Sequence, residues 1–343
     1  MTARAGSRPL ALMVAALGLV ALAAALWLGR GVLFLLFAGA LVAILLSAIT
    51  DWVARWTHLR RRWALVATLL LIAGLVAAAS LWIAPRVSQQ ADELAQRLPQ
   101  ALQKVEAQLE SRAWTRRLLD RLPGPGDLMP EEPEAVVQAT GALSAVAGAL
   151  AGALIILVVA LYLAAQPDVY RKGFLRLVPA AGRERAEQVL SAVHGTLRNW
   201  LLAQLVSMSV VGLMTVLGLW VLGIPLALTL GIFAGLMEFI PNFGPILSAV
   251  PPVLLALLAG PREALWVVLL YVGIQTLESY VITPLVQQKM VSLPPVLVIA
   301  SQLLAGALFG FAGLALATPL LAVAMVLVRA LYVEDFLGES PPG

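Results

Sequence analysis

The sequence predicts an all-α polytopic membrane protein, and two observations carry that prediction. Of its 343 residues, 61% are hydrophobic and 12% are charged, against about 25% charged residues in an average soluble domain. Together with a mean hydropathy of +0.93, this composition excludes an ordinary soluble enzyme. Uncharged runs of about 20 residues or more, enough to cross a bilayer, cover 9–29, 31–50, 63–85, 135–167, 199–237, 239–261 and 290–328. Such runs also exclude an outer-membrane barrel, whose strands alternate polar and apolar side chains.

Residues 1–85 are predicted to form an N-terminal membrane hairpin followed by a third span. Arg4 and Arg8 precede the first apolar run, as they would in a signal peptide. That run is too long for the apolar part of a signal peptide, and a second run follows almost at once, after Arg30. We therefore expect both runs to stay in the membrane as a pair of helices.

Residues 86–134 are predicted to form an extracytoplasmic helical insert. Pro99 marks a kink or a restart in it, and a Pro/Gly-rich linker at 123–133 leads back to the membrane. An apolar stripe of helical spacing is formed by Val87, Ala91, Leu94, Leu98, Ala101, Val105 and Leu109. The stripe predicts either a helix that lies on the protein's own surface or on the membrane, or a helix that joins subunits.

Charge asymmetry predicts the topology of the chain. The segment 51–62 carries four arginines and one acid, and 166–198 carries six basic residues and three acids. The insert 86–134 carries seven basic and nine acidic residues. The positive-inside rule places the N-terminus and the two basic segments in the cytoplasm and the insert outside. Residues 135–198 then comprise a fourth span and a cytoplasmic amphipathic helix, and the tail 334–343 is cytoplasmic.

The C-terminal part, 199–333, contains two apolar units that are too long to be single spans. The units 226–260 and 294–328 would each be about 52 Å long as straight helices, against a hydrocarbon core of about 30 Å. Prolines and glycines interrupt both units. The predicted helix breaks are Pro241, Gly244, Pro245, Pro294, Gly306, Gly310, Gly313 and Pro319. Broken apolar segments at matching positions are typical of a transporter binding site.

Two topologies fit these units. Either both re-enter the membrane as hairpins from opposite faces, beside about six full spans, or both cross it, which gives eight spans. The hairpin topology places Lys289 inside and the pair Arg262 and Glu263 outside. The positive-inside rule favours this arrangement. Both topologies leave the C-terminus in the cytoplasm.

Two acids, Glu238 and Glu278, are embedded in these apolar stretches. A charge at the bilayer centre costs about 2.5–3.5 kcal/mol on insertion scales. Each carboxylate is therefore expected to be protonated, hydrated in a cavity, or paired with a cation or solute; Glu278 is also close enough to a span end to snorkel. Asn242 and Gln275 lie four and three residues from these acids, on the same helical faces. We predict a substrate or ion path lined by these four residues.

Enzymatic chemistry is not predicted. The chain has no cysteine, and its histidines, His58 and His194, lie outside the apolar runs. It contains neither an H-E-x-x-H motif nor a P-loop, the short motifs of zinc proteases and of ATP-driven machines. We expect no catalytic residue, no metal and no cofactor, and a transport activity that is passive or gradient-driven. Basic residues flank the apolar runs instead of forming a basic domain, so no nucleic-acid partner is expected.

Three stretches resemble signatures of the autoinducer-2 exporter-like permease family. They are EFIPNFGP at 238–245, TPLVQQKMVSLPP at 283–295, and GALFG at 306–310 followed by Pro319. The similarity is specific over 236–320, and the layout of the other segments agrees with it. Gln287, in the second stretch, is also predicted to line the path.

The resemblance implies a bacterial inner-membrane transporter that forms a homo-oligomer. Members of the family are described as exporters of autoinducer-2, a small polar furanone-type signal, or as sodium or lithium/proton antiporters. Our first hypothesis is a secondary exporter of a small polar organic solute, with its path between the two broken units. The alternatives are a Na⁺(Li⁺)/H⁺ antiporter, and a membrane scaffold without transport that gathers partners on 86–122.

Overall fold

The described part of the protein is helical throughout. A computed structural model describes residues 29–83, scattered residues between 85 and 97, and residues 135–282, 284 and 294–338. All regular elements in these residues are helices, which confirms the predicted all-α class. Almost all of the first predicted span, most of the insert, and Gln287 lie outside the described residues.

The described helices are numbered in chain order. They are α1 (Arg30–Thr57), α2 (Arg61–Trp82), α3 (Ala135–Ala165), α4 (Pro167–Arg176), α5 (Arg183–Val221), α6 (Ala227–Met237), α7 (Phe243–Ala259), α8 (Pro261–Leu277, continued by a π-helix Glu278–Ile282) and α9 (Pro295–Leu327, continued by a π-helix Val328–Glu334).

Six of these helices are long and apolar enough to cross a membrane, as judged by length and composition in the described residues. They are α1, α2, α3, α5, α8 and α9. Helices α6 and α7 have 11 and 17 residues. At 1.5 Å per residue, α6 is about 16 Å long, so it cannot cross a hydrocarbon core of about 30 Å.

Helix α5 is the longest element and contacts most of the others. Its 39 residues make it about 58 Å long, roughly twice the thickness of the hydrocarbon core. The amphipathic stretch that the sequence places at the cytoplasmic interface forms its first turns, continuous with the span. The apolar stripe of that stretch faces the protein, because Val189, Leu197 and Leu201 are buried.

The first broken unit folds back on itself. Between α6 and α7 the chain leaves the helical conformation, with Asn242 at φ +66°. One apolar cluster contains both ends of the unit, Leu226 and Leu230 from its beginning and Leu255 and Ala256 from its end, and it also includes residues of α5 and α8. Helices α6 and α7 therefore form a helical hairpin whose two ends lie beside the C-terminal end of α5.

The second broken unit bends back at Gly310. This glycine has φ +63° and ψ −147° inside an otherwise helical α9. Gln302, eight residues before it, donates a hydrogen bond to Thr318, eight residues after it, at 3.4 Å. Residues 16 positions apart would be separated by about 24 Å on a straight helix. The two halves of α9 therefore lie against each other, with Gly310 at the bend.

Close helix packing depends on glycine at two places. Between α5 and α6, a Cβ on Gly212 would lie 3.2 Å from the carbonyl oxygen of Gly231, and one on Gly235 would lie 2.8 Å from that of Met208. Within the second hairpin, a Cβ on Gly313 would overlap the carbonyl oxygen of Ala305. Backbone therefore packs against backbone, as small residues allow in membrane helices.

Replacing Gly313 with alanine should destabilise the protein. The added methyl group meets a rigid backbone carbonyl, and such overpacking costs about 1–3 kcal/mol. We expect Gly313→Ala to lower the midpoint of thermal unfolding in detergent by several degrees.

Gly306→Ala is the matched control in the same hairpin. A Cβ there would lie 3.6 Å from the Leu314 side chain, an ordinary van der Waals distance. Its unfolding midpoint should therefore stay within about a degree or two of the parent protein. Equal midpoints for the two variants would contradict the fold-back of α9.

Candidate functional site

The candidate site lies where the break between α6 and α7 meets the two halves of α9. Glu238 ends α6 and is only 3% exposed. Its side-chain oxygen Oε2 has no hydrogen-bond partner among the described residues. Its backbone carbonyl accepts a hydrogen bond from the side-chain amide of Gln204 on α5. The backbone at Glu238 is thus held by α5, while Oε2 of its carboxylate is not held by any described residue.

Gln302 joins the two broken units through a single side chain. It is completely buried, and its Nε2 donates to the carbonyl oxygen of Pro241 at 2.7 Å and to Thr318 at 3.4 Å. Its Oε1 accepts from the amide of Asn242 at 3.5 Å, a long and weak hydrogen bond. One amide therefore connects the first break with both halves of the second hairpin.

Aromatic rings pack the two breaks against the neighbouring helices. Phe239, next to Glu238, meets Trp200 of α5 edge-on, with ring centroids 5.6 Å apart. Phe309, next to the bend of α9, lies 4.7 Å from the ring of Phe34 on α1. The guanidinium of Arg30 lies 5.9 Å from the centroid of the Phe309 ring, within cation–π range. Helices α1 and α5 therefore support the two breaks from outside.

Two further predicted path residues, Gln275 and Glu278, form a second polar group. The side-chain amide of Gln275 donates to Oε2 of Glu278 at 3.2 Å, so the predicted pair is in contact. Both residues are half-buried. Glu278 begins the π-helix that follows α8, and its carboxylate is held there by the side-chain amide of Gln275.

Two of the predicted breaks, Gly244 and Pro245, lie at the connection from α6 to α7. A Cβ on Gly244 would overlap the carbonyl oxygen of Met237, so only glycine allows the tight connection from α6 to α7. The carbonyl of Pro245 accepts a hydrogen bond from Ser248 at 3.1 Å. Pro319 is fully buried, whereas Pro294 is exposed at the beginning of α9.

Three residues of the site were missed by the sequence analysis, namely Gln204, Gln302 and Thr318. Each is an uncharged polar residue inside an apolar run, where the arguments about charge and helix breaking do not apply. A signal was present for two of them, because Gln302 and Thr318 are equidistant from Gly310. A search for polar residues placed symmetrically about each break would have found that pair.

Comparison with known proteins identifies the family. A family model described as AI-2E family transporter matches residues 17–332. The chain belongs to the AI-2E transporter family. PerM, a candidate permease of Escherichia coli (strain K12), is 26% identical over 332 residues, which cover 91% of this chain and 92% of PerM. YueF, a candidate transport protein of Bacillus subtilis (strain 168), is 26% identical over 266 residues, 74% of this chain and 72% of YueF.

A shorter match points in the same direction. YrrI, another candidate transport protein of Bacillus subtilis (strain 168), is 29% identical over 167 residues, and the match covers 49% of this chain and 47% of YrrI. As a member of the AI-2E transporter family, the chain is a membrane transport protein and not an enzyme. The family resemblance of the 238–245, 283–295 and 306–310 stretches is thereby confirmed.

Replacing Gln302 with leucine should weaken the connection between the hairpins of this AI-2E transporter. Leucine has a similar size but cannot pair with Pro241 or Thr318. Each buried polar group left without a partner costs about 1–3 kcal/mol. We expect Gln302→Leu to lower the midpoint of thermal unfolding in detergent clearly.

Thr276→Val is the control for loss of a side-chain hydrogen bond at a peripheral position. Thr276 is exposed, and its hydroxyl donates to the carbonyl of Val272 in its own helix, at 2.7 Å. This variant should unfold at the parent's midpoint. If Gln302→Leu also did so, the amide would not be holding the hairpins together.

Proposed function

We propose that the protein is a secondary transporter that exports a small polar organic solute of the autoinducer-2 type across the bacterial inner membrane. The solute path lies between the α6–α7 hairpin and the folded-back α9. Glu238, Asn242, Gln275, Glu278 and Gln287 are proposed to line it. The proposal includes a homo-oligomer, which the family resemblance implies.

The observation that carries the proposal is that Oε2 of the buried Glu238 has no hydrogen-bond partner among the described residues. A carboxylate this deeply buried is stable only if a proton, water or a bound group satisfies it. A purely structural role does not explain a carboxylate at this position, because an apolar side chain of similar size would fill the same space without the desolvation cost. Glu238 also lies at a helix break, where the neighbouring backbone can adapt to a bound solute or ion.

The chemistry of the site indicates which solutes it accepts. Both amide hydrogens of Gln302 are already engaged, with Pro241 and Thr318, so this amide has no donor left for a solute. Among the described residues of this site, the side-chain atom without a hydrogen-bond partner is the acceptor Oε2 of Glu238, and Glu278 is also an acid. We therefore propose a solute rich in hydroxyl or other hydrogen-bond donors and without a negative charge.

Contacts at the two ends of α5 support a re-entrant arrangement of both hairpins. The ends of the α6–α7 hairpin lie beside the C-terminal end of α5. At the other end of α5, Arg185 binds Glu334 at 2.8 Å and Asp335 at 2.9 Å, at the close of the second unit. Because α5 is longer than the bilayer is thick, we propose that the hairpins enter from opposite faces and meet near its middle. The C-terminus then shares the cytoplasmic side with Arg185.

A second candidate function is cation/proton antiport. It is favoured by the same unpartnered carboxylate, together with the like charge of Glu278. An acid that alternates between a proton and Na⁺ needs no buried cationic partner. In this alternative the amides of the site only hold the backbone, and the two carboxylates bind the ion.

The exporter proposal predicts that Glu238 is needed for efflux. Proteoliposomes loaded with labelled autoinducer-2 should release it in a protein-dependent manner. Glu238→Gln keeps the size of the side chain but removes its charge and its best acceptor, and we expect efflux to fall at least about tenfold, equivalent to about 1.4 kcal/mol. Glu263→Gln, an acid in the first turn of α8, is the matched control and should transport at the parent rate.

A sodium pulse separates the two candidate functions. Internal pH of the same proteoliposomes is recorded after Na⁺ is added outside. An exporter of a neutral solute gives no pH change, whereas an antiporter gives a Na⁺-dependent alkalinisation that Glu238→Gln abolishes. The second result would replace the exporter proposal, and normal efflux through Glu238→Gln would remove Glu238 from the path.

The hairpin topology predicts the sides of the membrane on which Arg262 and Lys289 lie. The chain has no cysteine, so single cysteines can be labelled without a background. In intact cells, Arg262→Cys should react with a membrane-impermeant maleimide, and Lys289→Cys should react only after the membrane is opened. Labelling of Lys289→Cys from outside would instead support eight spans.

A further inference from the structure

The connection between α1 and α2 concentrates arginine and tryptophan at the end of two membrane helices. Helix α1 ends at Thr57, and His58, at φ +55°, reverses the chain before α2 begins at Arg61. Four arginines lie here, and all four are exposed. They are Arg55, Arg60, Arg61 and Arg62.

The positive charge of this turn is largely uncompensated. Asp51 is the single acid between 51 and 63. Arg61 lies 3.9 Å from its carboxylate, at the outer limit of an ion pair, and Arg55 donates to its backbone carbonyl at 3.1 Å. Arg60 and Arg62 form no ion pair with any residue that the structure describes. A group of negative charge from outside the chain would therefore meet free guanidinium donors.

Three tryptophans surround the same arginines. Trp52, Trp56 and Trp63 are 54%, 75% and 66% exposed. The rings of Trp52 and Trp56 lie together, with centroids 5.8 Å apart. Exposed indole rings at the ends of membrane helices lie at the level of the lipid headgroups, where their apolar and polar parts are both accommodated. The turn is therefore placed in the headgroup layer and not in bulk water.

We propose that the α1–α2 turn is a binding site for the headgroup of an anionic phospholipid. Guanidinium groups bind phosphate oxygens in a bidentate manner, and their alkyl parts pack along lipid chains. The tryptophan rings would hold the glycerol region beside them. The exposed apolar face of α2, which includes Val66 and Leu70, continues below the turn and would accommodate the acyl chains. The site is separate from the proposed solute path and does not depend on it.

Helix α4 provides a matched comparison within the chain. Lys172 and Arg176 are also exposed, and α4 carries no tryptophan. Removing these two charges changes the net charge of the protein as much as removing Arg60 and Arg62. The double variants Arg60→Gln/Arg62→Gln and Lys172→Gln/Arg176→Gln therefore distinguish a specific site from general attraction between a basic protein and anionic lipid.

The test measures lipid retention by native mass spectrometry. The full chain is purified in detergent with an equal mixture of phosphatidylglycerol and phosphatidylcholine. We expect the parent protein and the α4 variant to retain phosphatidylglycerol selectively. Arg60→Gln/Arg62→Gln should reduce that selectivity by roughly one order of magnitude, from the loss of two charges near an anionic headgroup. Arg60→Lys/Arg62→Lys, which keeps the charge but loses the bidentate geometry, should fall between the two.

Four results would contradict the proposal. Unchanged selectivity in Arg60→Gln/Arg62→Gln would show that these arginines do not bind the lipid. An equal loss in the α4 variant would show attraction by net charge alone. Abolition of selectivity by millimolar inorganic phosphate would identify a site for free anions instead of a lipid. If the glutamine variant proved poorly folded, full parent-like selectivity in the lysine variant would contradict bidentate binding.

Discussion

The carbonyl groups released where α6 ends must find hydrogen-bond donors, and the rest of the arrangement depends on this requirement. A broken helix in an apolar environment leaves carbonyl oxygens without their usual partners, and each unpaired group costs about 1–3 kcal/mol or more. Here Gln204 supplies a donor to Glu238 and Gln302 supplies one to Pro241. The carbonyl of Pro241 also accepts from the backbone N–H of Phe243, at 2.8 Å. Because the two amides come from α5 and α9, the break gains both side-chain donors only when both helices are in place. The interruption of one helix thus specifies the packing of three.

Helix α5 gives this arrangement its frame. It approaches α6 closely because Gly212 faces Gly231 and Gly235 without intervening side chains. Near its beginning, Arg185 binds the acids that follow α9, and near its end α5 packs on both ends of the first hairpin. A single continuous helix therefore positions the two hairpins relative to each other. The break between α6 and α7 lies part-way along it, where Gln204 bonds to the carbonyl of Glu238.

The sequence was sufficient to predict the class and the interruption near Pro241, because these follow from local chemistry. Gly306, Gly313 and Pro319, which were also predicted as breaks, lie in helical parts of α9. Long uncharged runs are helical in a membrane, and clustered proline and glycine around Pro241 interrupt them whatever their neighbours are. The bend at Gly310 could not be predicted from that glycine alone, since glycine also occurs in straight helices. The contact between Gln302 and Pro241 could not be predicted in this way: an amide bonds equally well to any carbonyl, and only the three-dimensional packing decides which one it meets.

The division of roles among the polar residues has a consequence for transport. Gln302 uses both of its amide hydrogens to hold the hairpins together, through Pro241 and Thr318. In the proposed transport, a solute that binds Glu238 alone would leave these two hydrogen bonds intact. A solute with several donors can do more, because a second hydroxyl can replace the amide of Gln302 at the carbonyl of Pro241 without leaving that oxygen unpaired. Such an exchange would release the second hairpin from the first at little net cost, since one hydrogen bond replaces another. Binding and separation of the hairpins would then be coupled through one carbonyl oxygen, and a bare cation, which offers no directional donor, would couple them less effectively.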